Sequence, residues 1–464
     1  MLVVFAACAT IAGCRANSSG FSQVSPSGNS SVVLAMTDTP PTTVSILSAE
    51  VTLTGATLNP GNVSLFSGST TVELTRLQTD IAYLATAPNI PAGSYTSLSL
   101  TFANPMLTIE NDTGSAIGTC AVGSICTMAP TSVANLATTI NLSSFSIAAN
   151  SSSGLLVDVN LDNLLSAAMG ADFKAGTSVS AFTPAGTGAP LVGAEDVVGQ
   201  VMSVDSAHNT FSLQNATGSF SLAVDSTSTF FQFPSSVCTT AGFACLQANQ
   251  IVSVDMAIRS DGSLLARNVL FEDADSSDVE VEGMITGTNV GLQQFNIVTL
   301  AMSGTGTGLT IGNIATVHYA VAPQTPFDVD FAHADNVAVS TTGLLFAAPT
   351  DLSVGQQVSI RRNSSSSGNL ITADRVRLRS SRITATVHTI GAPYIYLFNI
   401  PSIFSGNGVT QIQVQTSAQT IFSENGSSVP FSHVFIPGVV SVRGPMFNVS
   451  GTRNLVATKV VIEP

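Results

Sequence analysis

Between residues 31 and 165 the chain alternates apolar and polar side chains with a period of two, in runs cut short by Gly, Pro, Ser and Asn. "SVVLAMTDTP" begins a strand that Pro40 and Pro41 stop. "VSILSAEVTLTGATL" carries on the alternation, and "TTVELTRL" follows a Gly/Ser turn. In "IPAGSYTSLSLTF" a Pro-Ala-Gly turn feeds a strand with Tyr95 near its start, and "GLLVDVNLDNLL" closes the region.

The second half repeats itself. "DVVGQVMSVDSAHNTFSL" (196–213) and "VEGMITGTNVGLQQFNIV" (281–298) both run from a Gly through a strand and a turn to a Phe, with Gly199 to Phe211 and Gly283 to Phe295 each twelve apart; a looser copy starts at "RITATVHTIGAPYIYLF" (382–398). The copies also end alike: strand, Gly/Ser turn, then Leu-x-x-Ala-x-x-Val. A period of roughly 80–105 residues is too long for a solenoid unit, so each copy is expected to be a small domain of five or six strands closing a barrel or near-barrel.

Two resemblances attach to these residues. "LAMTDTP", "VELTRL", "NIPAGSYTSLSLTF" and "LLVDVNLDN" together resemble the N-terminal domain of unknown function shared by many bacterial envelope lipoproteins, and the Pro-Ala-Gly-x-Tyr turn also recurs in transthyretin-like and pilin-type sandwiches. The resemblance implies a β-sandwich and supplies no catalytic residue. The repeats are similar to an OB-like β-barrel repeat, also of unknown function, common in secreted bacterial proteins. The expected organisation is all-β: a leader and tether over 1–30, a transthyretin/Ig-like sandwich over 31–190, and three OB-like barrels over 196–275, 276–379 and 380–464.

Composition agrees and adds a compartment. Of 464 residues only 9% are charged, none is Trp, and the formal net charge is −14. Such a chain is poor in the Lys, Glu and Arg that amphipathic surface helices need, and its acidity argues against nucleic acid as a partner. "MLVVFAACATIAGC" is a short apolar run ending in Ile11-Ala12-Gly13-Cys14, which resembles a bacterial lipobox without its positive n-region. Lipidation of Cys14, a Ser/Gly tether after it, and residence in the cell envelope, with the outer membrane favoured over the inner by Arg15, are the expectations that follow. In an oxidising compartment the close pairs Cys120/Cys126 and Cys238/Cys245 should each staple one loop.

Motifs that carry chemistry are few. No G-x-S-x-G, H-E-x-x-H, S-x-x-K or Gly-Lys phosphate loop is present, the five His are scattered singly, and no cofactor is implied. "FEDADSSDVEVEG" gathers Glu272, Asp273, Asp275 and Asp278, oxygens a Ca²⁺ ion would want, with Glu280 and Glu282 beyond; a solvated junction with the alternate carboxylates on the wet face of a strand explains them equally simply and is the expectation. Asp158, Asn160 and Asp162 lack the Gly and Glu of a Ca²⁺ loop and read as an alternating strand. Asp328, Asp330, His333 and Asp335 are candidates for a metal or hydrolytic site in a loop of the second repeat. Tyr394 and Tyr396 share a strand face and are the nearest thing to a glycan platform.

"ADRVRLRSSR" holds four of the 14 basic residues. Period two sets Val376 and Leu378 toward the core and Arg375, Arg377 and Arg379 together on the other face. In the other repeats Arg377 aligns with Leu270 and Val461, and Arg379 with Glu272 and Glu463, a charge reversal. The three arginines, candidate binding residues on their own, are therefore expected to meet carboxylates of a neighbouring module, with 272–282 the first choice. The functional expectation is a non-catalytic, lipid-anchored envelope scaffold or surface-binding module, its partners being the membrane through its anchor and envelope polysaccharide or other surface proteins. A glycan- or ligand-binding protein is the alternative, and a hydrolase built on 328–335 is the third reading.

Overall fold

A computed structural model describes residues 30–39, 45–184, 193–215, 218–274, 279–304, 308–329, 343–424 and 427–463, with backbone only at 195 and 196. The fold is all-β: a sandwich followed by three small barrels.

In the sandwich one sheet orders Thr177–Phe182, Ser152–Asn160, Ser31–Thr39 and Ala82–Pro88, the second and third running parallel. The other sheet orders Val63–Glu73, Ser45–Asn59 and Gly93–Glu110, and both Ile125–Met128 and Ala137–Ile147 pair with the last. The unbroken apolar run "VVLAM" has a structural cause. Val32, Leu34 and Met36 pack into the sandwich, whereas Val33 and Ala35 on the other face belong to the core of the first barrel. A strand covered on both faces has no wet side to alternate with. The Pro-Ala-Gly-x-Tyr turn is closed by Tyr95, whose buried ring carries a hydroxyl that donates to the Pro91 carbonyl at 2.8 Å. Ser152–Asn160 is a strand, as its alternation predicts, and Asn160 then caps a short helix, Leu161–Leu164.

The three barrels share one strand order. In the first, Gly193–Asp205 pairs with Thr210–Gln214 and with Ile251–Ile258; Thr210–Gln214 pairs with Ser219–Ala223, which meets Leu264–Asp273 in parallel and closes the ring. The second repeats this with Val279–Asn289, Gln294–Met302, Ile314–His318, Gln357–Arg362 and Leu370–Leu378. In each an extra short strand runs parallel to the far half of the fifth: Phe230–Gln232, Phe327–Val329 and, in the third barrel, Ile421–Glu424. The third barrel departs from the expected five or six strands. Its fifth strand is broken at Ala457 and Thr458 into Thr452–Val456 and Lys459–Ile462, and a further strand, Ser427–Ser428, pairs with Ile421–Glu424.

Register explains the repeated glycine. A Cβ on Gly199 would lie 2.7 Å from the Gln214 carbonyl oxygen and 2.8 Å from Leu213, and one on Gly283 would lie 2.7 Å from the Val298 oxygen. Strand pairing puts Ala385 at the same place in the third barrel, the looser copy. The modules also share cores. Phe447 and Val456 of the third barrel pack into the second, and Leu47 of the sandwich and Val298 and Leu300 of the second barrel pack into the third.

Candidate functional site

The feature that stands out is a set of charges buried between modules. Val376 and Leu378 lie in the second barrel's core while Arg375 and Arg377 alternate with them, and Arg379 follows directly, only 4% exposed. All three converge on Glu272, at the end of the first barrel's fifth strand and wholly buried. Its Oε2 accepts from Arg375 Nη2 at 2.8 Å and from Arg377 Nη1 at 2.7 Å, and its Oε1 from Arg379 Nη1 at 3.0 Å.

The network extends outward from there. Arg379 Nη2 also donates to Ser253 Oγ at 2.6 Å and Glu282 Oε1 at 3.1 Å, and Glu282 Oε2 accepts from Arg76 of the sandwich at 2.7 Å. Glu280 accepts from Arg375 at 3.2 Å and from Ser359 Oγ at 2.6 Å, while burial, opposed by Arg375, pushes its pKa up. Arg377 Nε donates to Asp328, its neighbour on the parallel extra strand, at 2.8 Å, and Asp273 pairs with Arg361.

The expected solvated junction is therefore corrected. Glu272 of the first barrel and Glu280 and Glu282 of the second are buried because the second barrel's own arginine strand, with Arg379 just beyond it, supplies their counter-charges. A carboxylate taken out of water without such partners would cost several kcal/mol. Ser253 sits at a position that is Ser in all three barrels, Ser253, Ser359 and Ser441 pairing with the first strand in the same register, and each hydroxyl meets an interface charge.

A second knot joins the sandwich to the third barrel. Asp80 Oδ2 accepts from Arg382 Nε at 3.0 Å and Nη2 at 2.7 Å and lies 3.9 Å from Arg443 Nε, while Lys459 Nζ is 3.6 Å from Oδ1. Burial pushes the Asp80 carboxyl up, but the three cations outweigh it and hold the group well below the usual carboxylate range. Burial lowers Arg443 and Lys459, with Asp80 opposing. In total eight of the chain's 14 basic residues (Arg76, Arg361, Arg375, Arg377, Arg379, Arg382, Arg443 and Lys459) face a carboxylate of another module.

A third cluster is opposite in character. Asp38, of the "TDTP" motif, is 5% exposed, and among the described residues neither of its oxygens accepts a hydrogen bond. Burial, then Asp158, Glu73, Glu463 and Asp162, raise its pKa well above the ordinary value. Burial also raises Glu73, Asp158 and Glu463, and takes Glu50, beside Glu73, to about 7.

Beside the first two knots lies a cavity of about 180 Å³, where the sandwich meets the first and second barrels. Leu77, Ile81 and Leu84 line it from the sandwich, Val198, Phe220 and Met256 from the first barrel, and Leu300 and Ala301 from the second, with Glu73, Arg76, Asp80 and Arg382 among them.

Of the remaining sequence candidates, Cys120–Cys126 and Cys238–Cys245 are disulfides, with Cα atoms 5.7 and 5.8 Å apart. Tyr394 and Tyr396 are half-buried on one strand of the third barrel, opposite Gln415 and Gln413. Among the described residues no group of three or more His, Cys, Asp and Glu is placed to hold a metal ion; Glu272 and Asp273 are engaged by arginines. Cys14, Asp275, Asp278, Asp330, His333 and Asp335 lie outside the described residues. Sequence reasoning missed Asp80, Arg443 and Lys459. The available signal was a charge inside an apolar strand, as in "VVSVRGPMF" and "ATKVVI".

Residues 29–175 match the family model described as Domain of unknown function (DUF4382). The sandwich, hereafter the DUF4382 domain, is the part of the chain similar to this family. No curated protein matches the chain. One similar solved structure, a multidomain protein with nucleic acid binding domains from Streptococcus pneumoniae, is 11% identical; the match covers 56% of this chain and 72% of that one, at a TM-score of 0.11. The DUF4382 domain contributes Arg76 and Asp80 to the buried knots and about half of the residues that line the cavity.

Proposed function

We propose that this is a non-catalytic protein of the bacterial cell envelope, exported and lipid-anchored at Cys14, in which the DUF4382 domain and three barrels form one fixed scaffold that presents surfaces to envelope polysaccharide or other surface proteins. The observation that carries this reading is the engagement of eight of 14 basic side chains in cross-module ion pairs, with Arg379, Arg382, Arg443 and Lys459 buried. Pairs of this kind add little net stability over apolar packing, but they fix register, because a shifted module leaves a buried charge bare. Two local disulfides and the apolar leader support export. The test is palmitate labelling with membrane fractionation of the wild type and Cys14→Ala: label and membrane association should both disappear in the variant, and unchanged processing and partition would refute the anchor. Binding of an extracellular ligand is a second reading, favoured by the cavity between modules.

A further inference from the structure

We infer that the cavity between the DUF4382 domain and the first two barrels is a binding site for a small, uncharged, mainly apolar molecule of the size of one aromatic ring. The inference rests on the ligand-binding reading and names its ligand class. At about 180 Å³ the space, half open to solvent, is large enough for one aromatic ring, since an enclosed apolar cavity of roughly 150 Å³ accepts benzene. Leu77, Ile81, Val198, Phe220 and Met256 offer it dispersion contacts and no hydrogen bonds from their side chains.

The charged residues in the lining point the same way, because they are already matched. Arg76 is taken up by Glu282, and Asp80 by Arg382 at 2.7 Å. Glu73 accepts from the Ser48 and Thr75 hydroxyls and from the Ala49 and Thr75 amides. The described lining thus holds two acids and two bases, each already engaged, with Asp80 shared by Arg382 and, outside the lining, by Arg443 and Lys459. An ionic ligand would give up its hydration to face side chains that are already engaged, a loss that neutral apolar matter does not suffer. Since the walls come from the sandwich and the first two barrels, with Arg382 of the third, an occupant also stabilises their assembly through linkage.

The experiment uses the full chain and four probes: benzyl alcohol, its charged counterparts benzoate and benzylamine, and glucose. Binding is read by ligand-observed NMR titration and by the shift in melting temperature. Benzyl alcohol should bind saturably and raise the melting temperature, and the two ions should bind at least about tenfold more weakly. Ala301→Leu, which fills the cavity from the second barrel, should abolish binding without lowering the melting temperature; Ala194→Leu does so from the first barrel and serves if the other variant folds poorly. Tight binding of benzoate, benzylamine or glucose that is lost in the Leu variants would overturn the ligand class and leave the ligand-binding reading standing. Absence of saturable binding by all four probes, or binding unchanged in both variants, would overturn both.

Discussion

Asp80 and Asp38 come from the same domain and are almost equally buried, at 4% and 5% exposed, yet their surroundings are opposite. Asp80 sits among Arg382, Arg443 and Lys459, and its pKa falls. Asp38 sits among Asp158, Glu73, Glu463 and Asp162, and its pKa climbs. The comparison teaches that burial does not decide what a carboxylate does here. The partner module decides: the third barrel brings cations to one aspartate and, in Glu463, another carboxylate toward the other. The first site works as a lock between modules, and the second as a region that favours bound protons.

The consequences for pH have opposite signs. A carboxylate whose folded pKa is depressed contributes stability above its unfolded value of about 3.9, and loses it as pH falls through the folded value. That is Asp80. Groups whose folded pKa is raised contribute fully below the unfolded value and lose that contribution as pH rises through the folded one. Those are Asp38, Glu73, Asp158 and Glu463, with Glu50 doing so up to about 7. Stability should therefore peak at mildly acidic pH and decline on both sides.

The largest expected effect comes from breaking the lock. Asp80→Asn removes the charge that three buried cations share, and should cost about 3–5 kcal/mol at pH 7 in urea unfolding, with the difference from wild type shrinking below pH 4. An equal cost at every pH would mean the carboxylate's charge is not what matters. Smaller is Arg377→Leu, which restores the residue type of the first barrel's Leu270. Glu272 keeps Arg375 and Arg379, and Asp328 is 41% exposed, so the loss should be about 1–2 kcal/mol. Smallest is Asp38→Asn, which should gain on the order of 1 kcal/mol at pH 8 and nothing at about pH 3, below the unfolded value. A loss at pH 8 would show that the ionised carboxylate has a favourable partner.

How much of this was legible depends on whether a feature is local. Alternation in "ADRVRLRSSR" placed Val376 and Leu378 inward, and the charge reversal between Arg379 and Glu272 in aligned repeats pointed to their meeting, because a repeat exposes a change that a single strand would hide. The burial of Glu280 and Glu282 was not legible. A carboxylate at alternate strand positions looks solvated until the strand that covers it is known, and Arg375 is 95 residues away from Glu280. Asp80 and Arg382 are 302 residues apart, and nothing in "LQTDIAY" marks the aspartate as a docking point. The continuous "VVLAM" run signalled burial on both faces but not which module supplied the second cover. The cavity was invisible for the same reason, since its walls come from all four modules.

The claim that buried charges hold the modules as one body is tested most directly by differential scanning calorimetry of the wild type and Glu272→Gln at pH 7. The wild type should unfold the DUF4382 domain and the barrels in a single transition, with calorimetric and van't Hoff enthalpies in agreement. Glu272→Gln leaves Arg375, Arg377 and Arg379 facing a neutral amide and should split off an earlier transition for the separated first barrel. A variant that still melts in one transition at the wild-type temperature would contradict the account.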